Sequence, residues 1–249
     1  MHDLKISLIT VCHNAEKTVS QTIQSVINQS FKNIEYIIID GASADNTTQI
    51  INLYKQHVNI FLSEPDSGIY DAMNKGIKLA SGDIIGMLNA DDSFADNDVL
   101  TAVAETYHRQ KARIIYGDLN FVNPDGKVVR KWKSGQYSST SFNWGWMPPH
   151  PTFYCERALF SEYGAYSLEY GTAGDYELML RFMHLNKVNA FYLKKVLINM
   201  KVGGVSNRSF HNRLKGLFFD FRAMADNRIL LPAFTLMLKP LRKINQFFI

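Results

Sequence analysis

Only two cysteines, Cys12 and Cys155, occur in 249 residues, far apart and in no CxxC or Cys/His cluster. That scarcity argues against a disulfide framework or a structural zinc site, and a reducing compartment is expected. No run of 18 apolar residues exists, so no conventional membrane span is expected. Met1-His2-Asp3-Leu4-Lys5 leads straight into a strand pattern without the marks of a secretory signal. Internal repeats and low-complexity segments are also missing. The first strand-to-helix turn, Thr10-Val11-Cys12-His13-Asn14-Ala15-Glu16-Lys17, contains no glycine. A dinucleotide fold needs glycine there to bring backbone up to a pyrophosphate, and no P-loop Gly-Lys-Ser/Thr occurs either. A nucleotide bound here must be held mainly by side chains and a metal.

The chain is 46% hydrophobic and 20% charged, which fits one or two globular domains with a sizeable core. Its net charge of +4 is unevenly spread. Residues 206–249 carry eight Lys/Arg against two Asp, whereas the preceding residues carry 19 basic and 21 acidic side chains. A basic, apolar tail on a slightly acidic body points to an anionic surface or ligand, or equally to the basic face of an ordinary terminal helix.

Lys5–Val11, Ile34–Ile39, Ile60–Leu62 and Ile84–Leu88 read as strands. Helical spacing separates them: Val19, Ile23, Val26 and Ile27, with Asn14 as N-cap; then Ile50, Ile51, Leu53 and Tyr54; then Ile69, Met73 and Ile77, facing the core. Strands alternating with short helices imply βαβ units and a mostly parallel sheet. After about residue 113 the rhythm changes. Ile114–Tyr116 is a strand, and Asn123-Pro124-Asp125-Gly126 turns a hairpin between Leu119–Val122 and Lys127–Trp132. Residues 133–152 read as a loop, helices are expected near Glu156–Tyr163 and from Gly174-Asp175 onward, and Phe191–Met200 is a strand. The remainder is helical and basic, interrupted by Pro232 and Pro240.

Leu88-Asn89-Ala90-Asp91-Asp92-Ser93 follows the fourth strand. Ligands of open α/β sheets bind beyond the carboxyl ends of strands, and paired aspartates there suit a hard divalent cation that also bridges to phosphates. The alternative is a solvated Asp-rich turn. Asp40 ends the second strand and can accept a bond from a base N–H or a ribose hydroxyl; the alternative role, capping the next helix, falls to Ser43 or Asp45. Asp71, Asn74 and Lys75 share another face of the third helix.

Thr10–Asn14, Asp40-Gly41-Ala42-Ser43-Ala44-Asp45-Asn46-Thr47, Gly68-Ile69-Tyr70-Asp71-Ala72-Met73-Asn74-Lys75-Gly76 and Asn89-Ala90-Asp91-Asp92 occur in this order at suitable spacing. Over about residues 5–205 the chain resembles family 2 glycosyltransferases of the GT-A fold, notably bacterial enzymes of exopolysaccharide, colanic-acid and O-antigen assembly. The resemblance implies a GT-A-like α/β domain with a mostly parallel sheet flanked by helices: a nucleotide-sugar-binding half over 1–112, an acceptor-binding half over 113–205, and a basic helical extension over 206–249. It implies inverting transfer from a nucleoside-diphosphate sugar, a UDP-linked one being the commonest, to a glycan or lipid-linked acceptor, with Mg²⁺ or Mn²⁺ as cofactor and no role for nucleic acid.

The same resemblance assigns Thr10, Asp40, Asp71, Lys75, Asn89, Asp91 and Asp92 to the nucleotide-sugar, with Asp91 and Asp92 also at the metal. Asp175, opening a helix about 80 residues later, matches the family's catalytic base, which takes a proton from the acceptor hydroxyl; Glu177 is the fallback. Trp146 and His150, in the Trp144–Phe153 segment, match an acceptor loop, and Gly203-Gly204-Val205-Ser206 a loop reaching toward the diphosphate. Two positions depart from the pattern. Asn89 stands where Asp is common, and Met73 stands where many relatives have Arg, so Lys75 or a tail residue must supply that phosphate contact. A sugar-nucleotide pyrophosphorylase would need a Gly-rich, Arg-containing loop after strand one, which Thr10–Lys17 is not; a relative that binds nucleotide sugars without turning them over is the other alternative. The basic tail is expected to rest on a membrane surface, placing the protein in the cytoplasm at the inner face of the cell membrane.

Overall fold

The structure is a computed structural model that describes residues 4–202, 210–243 and 246, with the backbone alone for 210–213. The expected loop at Gly203–Ser206 and the side chains of Arg208 and Arg213 lie outside the described residues. The strands are β1 (Ile6–Cys12), β2 (Ile34–Asp40), β3 (Ile60–Ser63), β4 (Ile84–Met87), β5 (Ser93–Phe94), β6 (Ile114–Val122), β7 (Val128–Trp132), β8 (Tyr154–Glu156) and β9 (Ala190–Lys201). The helices are α1 (Val19–Ile27), α2 (Thr47–Leu53), α3 (Ile69–Leu79), α4 (Val99–Gln110), α5 (Ala158–Tyr163), α6 (Gly174–Met179, continued by a wider turn to Leu185), α7 (Phe210–Asp226) and α8 (Pro232–Leu241).

The described strands form one sheet in the order β3-β2-β1-β4-β8-β6-β9-β5, with β7 added to β6. The first four pair in parallel, as their uninterrupted apolar runs require when both faces are covered. From β8 onward the pairing is mixed: β8 is antiparallel to β4 and β6, β6 is parallel to β9, and β5 and β7 are antiparallel to their neighbours. Side chains alternate across β1. Ile9 and Val11 join a cluster with Ile37, Met73 and Tyr176, while Leu8 and Cys12 join one with Val19, Ile23 and Tyr36. The sheet is thus sandwiched between two apolar layers, and the turns beyond the carboxyl ends of β1, β2 and β4 are brought to one rim.

Several local expectations change. Asn14 does not cap α1, which starts only at Val19 after Thr18. It takes a left-handed backbone conformation, φ 51°, and its Oδ1 accepts from Ala44 N at 2.9 Å. Ile69 is 49% exposed at the first turn of α3, while Met73 and Ile77 are buried as expected. Ile114–Tyr116 and Leu119–Val122 are one strand, and its pairing with β9 shifts register around Asp118. Asp118 can sit inside that strand because Tyr192 donates to it at 2.8 Å and Ser134 N at 2.8 Å. The α7–α8 tail also packs on the body, with Ala223, Met224 and Ile229 in the core.

Candidate active site

The turns after β1 and β2 are sewn together. Gly41 N donates to Cys12 O at 2.9 Å, His13 Nδ1 and Gly41 O are 2.8 Å apart, and Asn14 N donates to Ser43 Oγ at 2.8 Å. This lattice of short polar contacts replaces the glycine-rich turn that the sequence lacks. Asp40 ends β2 inside it. Its carboxylate accepts from Ser43 N at 3.0 Å and Ser63 Oγ at 2.7 Å, and from Ser43 Oγ. Burial pushes the Asp40 carboxyl up, but the bonds from Ser43, Ser63 and Cys12 outweigh it and hold the group below its ordinary range. Neither Ser43 nor Asp45 caps α2, whose N-cap position is Asn46; Asp45, one residue earlier, accepts from Thr47 N at 3.0 Å.

Thr10, expected at the nucleotide-sugar, is fully buried, and its hydroxyl shares a 3.1 Å hydrogen bond with Tyr36. It lies on the Leu8 and Cys12 face of β1, so it supports the strand from within the core layer. Asp71 and Lys75 are on the α3 side of the rim. Asp71 accepts from Ser67 N at 3.0 Å; Lys75 Nζ is 2.9 Å from Glu64 and donates to Pro65 O at 2.6 Å. Asn74 clasps the backbone of Tyr166 from both sides, at 2.8 and 2.9 Å. Met73 lies in the core, which is why position 73 offers a phosphate nothing.

Beyond β4, Ala90 N donates to Val11 O at 3.3 Å, bringing Asn89–Asp92 beside the end of β1. The two aspartates face opposite ways: Asp91 is exposed and Asp92 only 1% exposed. Burial, then the neighbouring Asp91 charge, raises the Asp92 carboxyl well above the usual range. Asp92 Oδ1 and Asn89 Oδ1 are buried oxygens without a hydrogen-bond partner, and Asn89 Nδ2 reaches Asp92 Oδ2 only at 3.4 Å. Among the described residues no group of three or more His, Cys, Asp or Glu could cage a metal. Unspent acceptor oxygens beside one outward carboxylate do fit a hard cation that takes most of its ligands from phosphates and water.

The third cluster lies at the start of α6. Asp175 Oδ1 accepts from Tyr176 N at 2.8 Å and from Tyr70 Oη at 3.1 Å; Asp175 Oδ2 is 3.2 Å from His150 Nδ1. Burial and the Asp175 charge push the Tyr70 phenol up, so Tyr70 keeps its proton and donates. A Cβ on Gly174 would come within 2.8 Å of the Tyr70 ring, so glycine is what lets the ring approach. His150 and Asp175, both assigned from sequence to the acceptor side, meet here, joined by Tyr70 from α3. Tyr70 lies in the Gly68–Gly76 segment without a role assigned from sequence; its ring stacks on Tyr166, with centroids 5.4 Å apart, and its hydroxyl is also 3.2 Å from Thr172 O.

Glu177, the fallback base, is already engaged. It is 4% exposed, and Arg181 binds both its oxygens at 2.8 Å while also donating to the backbone of Gly164 and Ala165. Trp146 is not an open stacking platform. It is 6% exposed, its Nε1 donates to Ser134 O at 2.7 Å, and it packs among Tyr116, Tyr137 and Phe142. Its neighbour Trp144 is the exposed ring, edge-on to Phe234.

Comparison with known proteins bears on what such a rim does. The family profile described as Glycosyl transferase family 2 matches residues 7–167. An uncharacterized glycosyltransferase of Mycobacterium tuberculosis (strain ATCC 25618 / H37Rv) is 29% identical over 232 residues, spanning 89% of this chain and 83% of its own. Among solved structures, S. aureus TarS 1-349 in complex with UDP-GlcNAc superposes with a TM-score of 0.69 at 17% identity, over 98% of this chain and 73% of that one. The mannosyltransferase PcManGT from Pyrobaculum calidifontis, in complex with GDP-Man and Mn2+, gives 0.69 at 14% identity, over 96% and 73%. At such identities the two structures speak for the fold.

Proposed function

The chain belongs to glycosyl transferase family 2, and on that premise we propose that it transfers a sugar, with inversion, from a nucleoside-diphosphate sugar to a glycan or lipid-linked acceptor in cell-surface polysaccharide synthesis. The observation that carries this reading is the Asp175 carboxylate. It is held by Tyr176 N and Tyr70 on one oxygen and meets His150 on the other. The acceptor hydroxyl is a weak nucleophile, and a positioned carboxylate takes its proton as the new glycosidic bond forms and the bond to the diphosphate breaks. Tyr70 and His150 are positioning residues that fix the carboxylate's direction. Asp40, fully buried with its oxygens taken by Ser43 and Ser63, holds in shape the turn after β2 that would face the base or ribose of a UDP-linked donor, and Asp71 and Lys75 brace the rim beside it. Asp91, with the unspent oxygens of Asn89 and Asp92, would hold Mg²⁺ or Mn²⁺, which when bound would neutralise charge on the departing diphosphate.

The tail adds a place of work. On α7, Leu214, Leu217, Phe218 and Phe221 are exposed at helical spacing; on α8, Phe234, Met237 and Leu241 are. Leu230 and Leu231, in the link between the two helices, are exposed as well. Lys215, Arg228 and Arg242 are exposed on the same tail. No described helix is long and apolar enough to cross a membrane. An apolar face among basic residues suits the surface of an anionic membrane, where a lipid-linked acceptor resides.

A thermal-shift screen of nucleotide sugars with and without Mn²⁺ tests the donor reading. A ligand that binds only the native state raises the melting temperature by mass action. A metal-dependent rise with a UDP-sugar that disappears in Asp91→Ala is expected; no rise with any nucleotide sugar would refute it.

A further inference from the structure

Helix α8 lies over the loop that leads to His150. Thr235 Oγ1 donates to Asn143 O at 2.8 Å, Leu230 N to Asn143 Oδ1 at 3.2 Å, and Arg242 Nη1 to Trp144 O at 3.3 Å. The helix comes so close at Gly145, itself left-handed at φ +73°, that a Cβ there would lie 2.7 Å from Lys239 N. Between α8 and the strand β7 this docking leaves a cavity of about 430 Å³. Lys131 and Lys133 stand on one wall, Lys239, Arg242 and Lys243 on the other, and no Asp or Glu lines it.

Five cations around one concavity repel one another unless something negative sits between them. Asp220 pairs with Lys239, at 2.8 Å, and its charge also reaches Lys243. Among the described residues Lys131, Lys133, Arg242 and Lys243 form no ion pair. Burial, and then the neighbouring Lys239, lowers the Lys243 amine, and the opposing charges of Asp220 and Asp175 do not make up the difference. The cavity is also coupled to the proposed base. Lys239 Nζ lies 3.5 Å from the centre of the Tyr176 ring, next to Asp175, and Met147, three residues before His150, lines the wall.

We infer that this cavity binds a phosphate or diphosphate group on the acceptor side, as the linker between an acceptor sugar and its lipid. The inference rests on the glycosyltransferase reading and deepens it by naming the acceptor's chemistry. Phosphate oxygens accept several charge-assisted bonds at once, which is what lysines and an arginine on facing walls supply. The same helix turns Phe234, Met237 and Leu241 outward. A lipid could lie along that face while its phosphate enters the cavity and its sugar points toward Asp175.

The test compares the parent with Lys133→Gln/Lys243→Gln and with Lys133→Gln/Arg242→Gln; the second pair is exposed, so a misfolded first pair does not end the experiment. Three titrations are made: inorganic pyrophosphate in metal-free buffer, UDP with Mn²⁺, and flotation on vesicles of phosphatidylcholine with phosphatidylglycerol. Pyrophosphate should bind the parent and bind each variant about tenfold or more weakly, as loss of bonds to a charged group implies. UDP binding should be unchanged in both pairs, and flotation unchanged in Lys133→Gln/Lys243→Gln, which leaves the exposed Arg242 in place. Parental affinity for pyrophosphate in folded variants, or no pyrophosphate binding by the parent, overturns the inference. So does an equal loss of UDP binding, which would give these cations to the donor's diphosphate. Loss of flotation with pyrophosphate binding intact would give them to lipid headgroups and also overturns it. If the parent binds pyrophosphate through these residues yet binds no nucleotide sugar, the donor reading fails and the cavity stands.

Discussion

Asp175→Asn separates chemistry from architecture at a single atom. In the native protein one carboxylate oxygen accepts from Tyr176 N and Tyr70, and the other faces His150 Nδ1 at 3.2 Å. The amide oxygen of Asn can keep both bonds on the first side, and its NH₂ can donate to a neutral His150, so the start of α6 should hold its shape. What disappears is the capacity to take a proton. Losing a general base costs about 10²–10⁴ in rate, which at 1.36 kcal/mol per factor of ten is about 3–5 kcal/mol of transition-state stabilisation. The assay is UDP release from a UDP-sugar with Mn²⁺, using water as the acceptor where no better one is known, run beside UDP binding and thermal melting. The expected outcome is parental binding, a melting temperature within a few degrees, and turnover down by about two orders of magnitude or more. Turnover within a few-fold of the parent, with binding intact, would refute Asp175 as the base. Glu177 could not take its place without first giving up Arg181.

Arg181→Ala should destabilise the fold by about 3–5 kcal/mol, because it strands the buried Glu177 carboxylate; urea unfolding measures this, and a loss under about 1 kcal/mol would show the pair to be unimportant. Asp40 is held below its ordinary value of 3.8 in the fold, so its contribution is fully present above the unfolded pKa and is lost as pH falls through the folded one. Asp40→Asn should therefore be less stable than the parent at pH 7, with the gap closing below about pH 4; a gap that is constant with pH would contradict the depressed pKa. Tyr70→Phe should lower kcat more than it raises KM, since it loosens Asp175 while leaving the Asp40 end alone; a pure KM effect would place Tyr70 in substrate binding. Phe218→Ser/Phe234→Ser should abolish flotation on anionic vesicles at low salt without changing the melting temperature, and undiminished flotation would remove the membrane reading. Deleting the tail would not test this, because Met224 and Ile229 belong to the core.

The first half of the fold was legible because its strands are long and apolar. Ile34–Ile39 was expected and Ile34–Asp40 found; Lys5–Val11 was expected and Ile6–Cys12 found. The misses are of another kind. β8 has three residues and β5 two, too few to show a period, and both exist only because distant strands offer edges to pair with. β6 was read as two pieces because Gly117-Asp118 interrupts its apolar run, and the partners that make Asp118 tolerable there, Tyr192 and Ser134, are 74 and 16 residues away. Asn14 looked like a cap because cap and turn residues are the same types. Its actual partners lie across the rim in the β2 turn, which no local pattern records.

The site follows the same division, and the tail carries it furthest. Order along the chain proposes Asp40, Asp91 and Asp175 for the site, but does not say that Asp91 faces out and Asp92 in, or that Tyr70 crosses 105 residues to Asp175. On α8, Phe234, Met237 and Leu241 are exposed while Lys239 is buried against Asp220 and the Tyr176 ring. That inversion runs against the usual preference of apolar side chains for the interior. Lone exposed apolar residues are ordinary, but aligned stripes on two consecutive helices mark a surface that meets something other than water. The lysine turned inward has its own reason, since it reaches the helix that presents Asp175. On the proposed reading, one short helix divides its faces between two partners, an apolar surface outside and an anion within. An acceptor that is both lipid and phosphate would use them together.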